Sequence, residues 1–492
     1  MTSAPRGVLP VLAIDRDAGE ALYRQIYAGY RDAIRDRRLR PGERLPSTRG
    51  LAAELGVSRF PVLGAFEQLV AEGYCETRRG AGTFVADSLP EELVSPGRAD
   101  DGSPPARLSP GARTLAGSPV ADLARAPFAR RGSGAFSVGA IALDRFPRRV
   151  FATLVSRRMR TLDPARWDYG PPEGLPDLRA AIAGYLRAAR GVRCDPGQVL
   201  VVSGSQQALD LAARALLDPG SEVWVEEPGY WGAHDALRLA GARLVPVSVD
   251  GEGLDVDAGI ERSPTPRAVF VTPSHQFPLG VTLSARRRLR LLDWARRSGA
   301  WILEDDYNGE FRYESAPITA LQGLDRDHRV LYLGTFSKVL SPALRVGYLV
   351  LPPDLIDRFA AVRQAMDVAP PAFFQQVLAD FLVEGHFARH LRRMRELYRR
   401  RRSALVEALR GELGDRLELV GEKSGLHLTV HLQAGADARA VSARAQEAGL
   451  RVLALSDCAL EPAAGRSGLV LGYGGVPVED MPDAVRRLCA LL

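Results

Sequence analysis

Lysine is almost missing from this chain. Of its 65 basic residues two are lysines, Lys338 and Lys423, which leaves 63 arginines. Where arginine is the default cation, a surviving lysine is either a surface residue kept by chance or a candidate for chemistry that a guanidinium cannot perform. Cysteine is equally sparse: Cys75, Cys194, Cys458 and Cys489 lie far apart. That spacing excludes a paired zinc motif and a disulfide scaffold, calls for no metal, and fits a reducing cytoplasm. No run of about 18 apolar residues occurs, and the N-terminus MTSAPRGVLPVLAIDRD has no apolar core. Neither a spanning helix nor a secretory leader is expected, so no membrane partner is either. The net charge of +6 over 492 residues permits an anionic partner without demanding one.

What is present is a large globular chain, 46% hydrophobic and 25% charged, long enough for two to four domains. Residues 87–135 hold seven prolines, six glycines and six serines, with Phe128 as the only aromatic. So little to bury predicts an extended linker. Upstream, residues 1–86 place Leu22, Ile26, Tyr30 and Ile34 at steps of four, one stripe of an amphipathic helix. PGERLPSTRGLAAELGVSRFPVLGAFEQLVAEG follows, with Ser47 and Ser58 each positioned to cap a short helix. YCETRRGAGTFVAD then reads as two strands around a Gly-rich basic tip. The sum is a winged helix-turn-helix.

Such a unit enters the major groove with its second motif helix, while hydroxyls, helix amides and cations hold phosphates. The expected contacts with double-stranded DNA are Arg44, Ser47, Thr48 and Arg49 on the preceding loop and helix, Ser58 and Arg59 at the reading helix, and Arg78 and Arg79 at the wing tip. Residues 1–86 carry 13 Arg against 10 Asp plus Glu, so the case rests on local placement rather than bulk charge. From Leu22 to Ala86 the stretch resembles the GntR family's DNA-binding domain through LYRQI, PGERLPSTR, LAAELGVSR and GAGTFV. It departs from that pattern at Phe60-Pro61-Val62, where family members usually have polar residues and a threonine.

Downstream, short apolar runs alternate with helical segments: 199–203, 222–228, 243–249, 268–273, 301–306, 330–336 and 348–351. Alternation of this kind predicts a mostly parallel sheet covered by helices over residues 136–352, and residues 353–492 read as a smaller α+β subdomain. Lys338, in GTFSKVLSPALRVGY, follows one strand, and Asp305, in ILEDDYNGEF, ends another. Ligands of open parallel sheets sit at those carboxyl ends. A lysine for an aldehyde, an acid for a protonated pyridine nitrogen and Tyr307 for a ring phenolate together match pyridoxal 5′-phosphate. Ser205 and Gln206 in SGSQQALDLAAR start a helix directly after a strand and can hold its phosphate, helped by Thr335, Ser337 and Arg345. Tyr230 in EEPGYWG is placed to stack on the ring.

The region resembles fold type I pyridoxal-phosphate enzymes, the aspartate aminotransferase class, through YGPPEG, LPDLRAAIAGYL, SGSQQALDLAAR, EEPGY, TPSHQFPLG, EDDYNGEF and TFSKVLSPALRVGY. The resemblance implies Lys338 as the aldimine lysine, Asp305 as the pyridine partner, Tyr307 as the phenolate partner and Arg345 as a phosphate ligand. It also implies a homodimer in which Tyr169 is lent to the second subunit's phosphate. Where aminotransferases carry an asparagine in an NPxG turn, this chain reads Ser274-His275-Gln276-Phe277-Pro278, so His275 or Gln276 is the expected replacement. Arg466 is the nearest candidate for a substrate or effector carboxylate. Both halves together resemble the MocR subfamily of GntR-type regulators. This implies a DNA-binding transcription regulator that carries the cofactor and senses either free pyridoxal phosphate or a small amino compound. The alternative is a working aminotransferase with a DNA-targeting head.

Overall fold

The computed structural model describes residues 14–16, 19–78, 80–88, 134–161, 168–313, 318–414, 418–433, 435–461 and 467–492. The chain divides into two compact units, one ending at Arg107 and the other starting at Leu108. The linker expected over 87–135 lies mostly outside the described residues.

The first unit contains α1 (Leu22–Arg35), α2 (Thr48–Leu55), α3 (Arg59–Ala71) and the antiparallel strands β1 (Cys75–Arg78) and β2 (Gly82–Val85). The stripe on α1 buries Ile26, Tyr30 and Ile34, and Tyr30 meets Phe66 of α3 edge to face at 5.3 Å. Ser47 caps α2 by accepting from the Gly50 amide, and Gly56 ends it at φ +63, a left-handed turn suited to glycine. Ser58 precedes α3 in extended backbone, but its hydroxyl makes no capping bond. The expected cap fails for a local reason. A capping side chain takes the amide of the second or third helical residue; the third here is Pro61, which has none, so only the Phe60 amide was open to it.

In the second unit eight strands form one sheet: β3 (Val199–Val202), β4 (Glu222–Glu227), β5 (Arg243–Asp250), β6 (Gly253–Leu254), β7 (Ala268–Val271), β8 (Trp301–Asp305), β9 (Val330–Thr335) and β10 (Gly347–Val350). Their order is β3-β10-β9-β8-β7-β4-β5-β6. Strands β5, β4, β7, β8 and β9 pair in parallel, whereas β10 runs against both β3 and β9. The apolar runs are continuous because both faces are covered. Along β3, Val199 and Val201 join the core under α5 (Pro176–Arg190), which follows α4 (Arg148–Thr161). Leu200 and Val202 join the opposite core under α6 (Ser205–Leu216) and α7 (Trp231–Leu239). That alternation is the two-residue period of a strand. Further along the sheet, α8 (Val256–Arg262) and α9 (Ala285–Ser298) cover the β4–β7 region, where Trp224 stacks on Trp294 at 4.1 Å.

After α10 (Leu321–Leu324) and the last strands of the large sheet, helices α11 (Ile356–Asp367), α12 (Ala372–Val383) and α13 (His386–Leu413) lead to a second, antiparallel sheet. It orders β11 (Glu418–Val420), β12 (His427–His431), β14 (Gly468–Gly472) and β13 (Leu453–Ala454), with α14 (Ala438–Glu447) and α15 (Met481–Cys489) completing the layer. The basic helix α13 buries one face and exposes the other: Leu391, Met394, Tyr398 and Leu405 are buried, and exposed Arg399 and Arg400 pair with Glu396. Ala135 pairs with Leu450 and Phe136 with Gly472, so the start of this unit packs on the sheet formed by its end. Lys423 is exposed, and its carbonyl accepts from the Tyr313 amide.

Candidate functional site

The carboxyl ends of β3, β4, β7, β8 and β9 lie along one edge of the large sheet, and a cavity opens there. Ser205, Tyr230, Asp305, Tyr307 and Lys338 line it, five residues singled out in the sequence. Lys338 follows β9, is half-buried, and donates to the Gly139 carbonyl at 3.2 Å. Burial lowers its pKa, with Asp305 pulling the other way, so its amine is more readily uncharged than a surface lysine. Asp305 closes β8. Burial and the neighbouring Asp306 push its carboxyl up to about 7, opposed by Lys338.

A buried ion pair holds this corner. Arg190 of α5 meets Asp306 at 2.7 Å and also donates to the Gly309 carbonyl and the Ser274 hydroxyl, while the Tyr332 hydroxyl donates to Asp306. Burial drives Asp306 up, but Arg190 and these hydrogen bonds outweigh it and hold the carboxyl below its ordinary range. The turn carrying Asp305, Tyr307 and Asn308 is thereby tied to α5 and to the β7 turn. Removing either member would strand a buried charge.

Several buried polar atoms around the cavity have no partner within the protein: Asp305 Oδ1, the Tyr307 hydroxyl, Asn308 Oδ1 and the Ser337 hydroxyl. Leaving such atoms unpaired is costly, which fits a ligand that supplies the missing partners. At the phosphate end, Gly204 at φ +109 leads into α6, whose first residue Ser205 lines the cavity. The Arg345 guanidinium flanks that turn, since a Cβ on Gly204 would come within 3.5 Å of it. A helix N-terminus, two hydroxyls and a guanidinium make an anion cradle. The donor set therefore fits pyridoxal 5′-phosphate: Lys338 for the aldehyde, Asp305 for the ring nitrogen, Tyr307 or Asn308 for the ring oxygen.

Other expected residues lie elsewhere. The Gln206 side chain donates to the Gly232 carbonyl, and Thr335 accepts from the Ser337 amide beneath the cradle. His275 does not reach the cavity. Its Nδ1 lies 3.0 Å from the Ser424 hydroxyl and its ring packs against His427 at 4.7 Å. The Gln276 amide nitrogen donates to the Pro228 and Phe277 carbonyls. Phe277, the residue before Pro278, lines the cavity instead. Tyr169 is 82% exposed. Arg79 and Arg466 lie outside the described residues. Sequence reasoning passed over Asn308, Thr272, Phe277, Val138, Leu426 and His427, all in the cavity wall. Asn308 was within reach, two residues past the Asp-Asp pair. The approach of Val138 and His427 depends on segments remote in the chain.

On the first unit, Arg44 bridges to Phe84 of the wing, and Arg49 and Ser58 are exposed. Arg59 donates Nε to the Thr48 hydroxyl at 3.0 Å, joining the starts of α3 and α2. Arg78 pairs with Glu76 and lies over the Phe84 ring at 4.7 Å.

Residues 141–487 match the aminotransferase class I and II family, and residues 22–85 match the gntR family of bacterial regulatory proteins. Over 480 residues, 97% of this chain and 95% of the relative, it is 40% identical to the "Probable rhizopine catabolism regulatory protein MocR" of Rhizobium meliloti. The chain belongs to the MocR group of GntR regulators. Another member, the pyridoxine biosynthesis transcriptional regulator PdxR of Corynebacterium glutamicum, is 33% identical over 449 residues, 89% of this chain and 88% of that one. Among solved structures, the α-aminoadipate aminotransferase LysN of Thermus thermophilus, complexed with N-(5′-phosphopyridoxyl)-L-leucine, matches with a TM-score of 0.70 at 32% identity. The match covers 78% of this MocR-type chain and 97% of LysN. The kynurenine aminotransferase of Pyrococcus horikoshii matches with a TM-score of 0.72 at 27% identity, covering 78% and 96%. This MocR-type regulator thus joins a GntR DNA-binding unit to a fold type I aminotransferase unit. No helix among its described residues is long and apolar enough to cross a membrane.

Proposed function

We propose that the chain holds pyridoxal 5′-phosphate in the cavity around Lys338, and that cofactor occupancy or a small amino compound bound there sets the affinity of the winged helix for operator DNA. The observation that carries this reading is the set of buried, unpartnered polar atoms converging on Lys338 in a chain that begins with a DNA-binding unit. The cofactor, when bound, supplies an aldehyde that bonds amines reversibly and a ring that withdraws electrons.

The rest is the work of the chain's own residues. Lys338, its charge disfavoured by burial, offers an amine and can give it up to a competing amino compound. Asp305 keeps a proton on the ring nitrogen. Tyr307 and Asn308 present polar atoms to the ring oxygen, and Tyr230 lies against the ring. The α6 N-terminus, Ser205, Ser337 and Arg345 hold the phosphate, joined in a homodimer by Tyr169 of the second subunit. Arg466 is the proposed carboxylate contact for an amino-acid effector. Arg44, Ser47, Thr48, Arg49, Ser58, Arg59, Arg78 and Arg79 contact DNA, and the protein works in the cytoplasm.

A ligand alters DNA affinity only by binding two states of the protein unequally, and a tenfold change needs about 1.4 kcal/mol of difference. The test is a titration of operator DNA by fluorescence anisotropy, with and without pyridoxal phosphate and a panel of amines, for wild type and Lys338→Ala. Wild-type affinity should shift with one of these additions, and the variant should not respond. Equal affinities under every condition would refute the coupling. Sustained turnover of an amino acid with a keto acid, together with no sequence-specific DNA binding, would favour an aminotransferase instead.

A further inference from the structure

Helix α3 shows solvent an unusual face. Val62, Ala65, Phe66 and Leu69 are buried, which leaves Phe60, Leu63 and Glu67 along the other side at helical spacing. Phe60 is 82% exposed, and no described large apolar side chain exceeds it. A lone exposed phenylalanine on an ordinary surface needs no explanation. This one stands in the first turn of the helix that, in a helix-turn-helix, meets base edges with its N-terminal residues.

Two of its neighbours each carry one contact within the protein. Arg59 is tied through Nε to Thr48, and Ser47 is spent on the cap of α2. Pro61 contributes no amide. Beyond the exposed Ser58 and Arg59, the outer face of the first two turns offers an exposed aromatic ring and the half-buried aliphatic chain of Leu63, with the carboxylate of Glu67 one turn further on. It carries no asparagine or glutamine, the side chains that read adenine by paired hydrogen bonds. Among the groups displayed in the major groove, the C5-methyl of thymine is the one that offers carbon rather than a donor or acceptor.

We propose that Phe60 reads the C5-methyl group of a thymine in the major groove of the operator. The inference deepens the DNA-binding reading of the winged helix and rests on it. The ring has few torsions to freeze, and its exposed face is the apolar surface that contact with a methyl group would desolvate.

Uracil differs from thymine by that methyl alone, which makes the test specific. Operator duplexes are recovered from a random pool bound by the full-length protein, and each thymine is then replaced by uracil in turn. At one thymine or more, the replacement should weaken wild-type binding about fourfold, the worth of one buried methyl. In Phe60→Ala the same replacement should have no effect, and the thymine duplex should bind no better than the uracil duplex. Phe60→Leu should retain part of the discrimination. Because Phe60 packs against little, the melting temperatures of both variants should match wild type, so a lost contact is not confused with a lost fold. The inference is overturned if uracil is tolerated everywhere, if it costs Phe60→Ala as much as wild type, or if Phe60→Ala binds the thymine duplex as tightly as wild type. Absence of any selected sequence for wild type would overturn the DNA-reading role itself, and the inference with it.

Discussion

Replacing Asp305 with asparagine should stabilise the cofactor-free protein at alkaline pH and destabilise the cofactor-loaded one. Without cofactor, burial and Asp306 raise the Asp305 carboxyl from 3.8 to about 7. The folded state then holds a proton that the unfolded chain has released, over the whole interval between those values. Stability is unaffected below the unfolded pKa and falls as pH rises towards the folded one. At about 1.4 kcal/mol per pH unit, the loss approaches about 4 kcal/mol above pH 7. Asparagine carries no charge to desolvate, so Asp305→Asn should escape this loss at pH 8.5 and gain nothing at pH 4. With an unfolding entropy of about 2 cal/mol/K per residue over a unit of about 380 residues, 4 kcal/mol corresponds to about 5 °C. Differential scanning calorimetry of the two cofactor-free proteins at pH 5, 7 and 8.5 measures it. Comparison with the variant is essential, because Glu226, Glu304 and Glu310 are each raised to about 7 and share the sign, whereas His390 and His427, lowered to about 4, oppose it at acid pH. Saturating pyridoxal phosphate should reverse the order, since a protonated ring nitrogen makes the Asp305 charge favourable and asparagine cannot supply it. Parallel pH profiles without cofactor, or no reversal on adding it, would refute the assignment of Asp305.

Arg345→Ala should raise the dissociation constant for pyridoxal phosphate by roughly tenfold or more, the worth of a hydrogen bond to a charged group, and an unchanged constant in a spectrophotometric titration would remove Arg345 from the phosphate cradle. Gly425→Ala should destabilise the second unit by about 2 kcal/mol or more, because strain at positive φ adds to a clash. Its Cβ would sit 2.1 Å from His275 Nε2, and φ there is +83. A melting temperature equal to wild type would contradict the packing described. Ser47→Ala should cost about 1 kcal/mol by uncapping α2, and DNA affinity should fall alongside the melting temperature of the first unit. A fall in affinity with no change in melting would instead assign the hydroxyl to a phosphate.

The large sheet was legible because buried parallel strands are apolar on both faces. VLVV, AVFV and WILED read as strands from composition, and chemistry placed just past their ends followed from the rule for open sheets. Lys338 stood out by the scarcity of its type, and Asp305 and Tyr307 by their position after a strand. The failed cap at Ser58 was local as well, since Pro61 stands three residues on. His275 was different: its composition and place in the turn were visible, but its direction was not. Whether a turn histidine faces a ligand or turns away is decided by what packs behind it. Here that is Ser424 and His427, about 150 residues further along the chain.

Local pattern alone thus determined the winged helix, the mostly parallel sheet and the lysine at its carboxyl edge, because each depends on periodicity or on residues within one turn. Only the tertiary structure decided which polar atoms are buried without a partner, which aromatic faces solvent on α3, and how residues 135 and 136 join a sheet made from residues 418–472. Those properties are set by burial, and burial depends on segments that the chain brings together from tens to hundreds of residues apart.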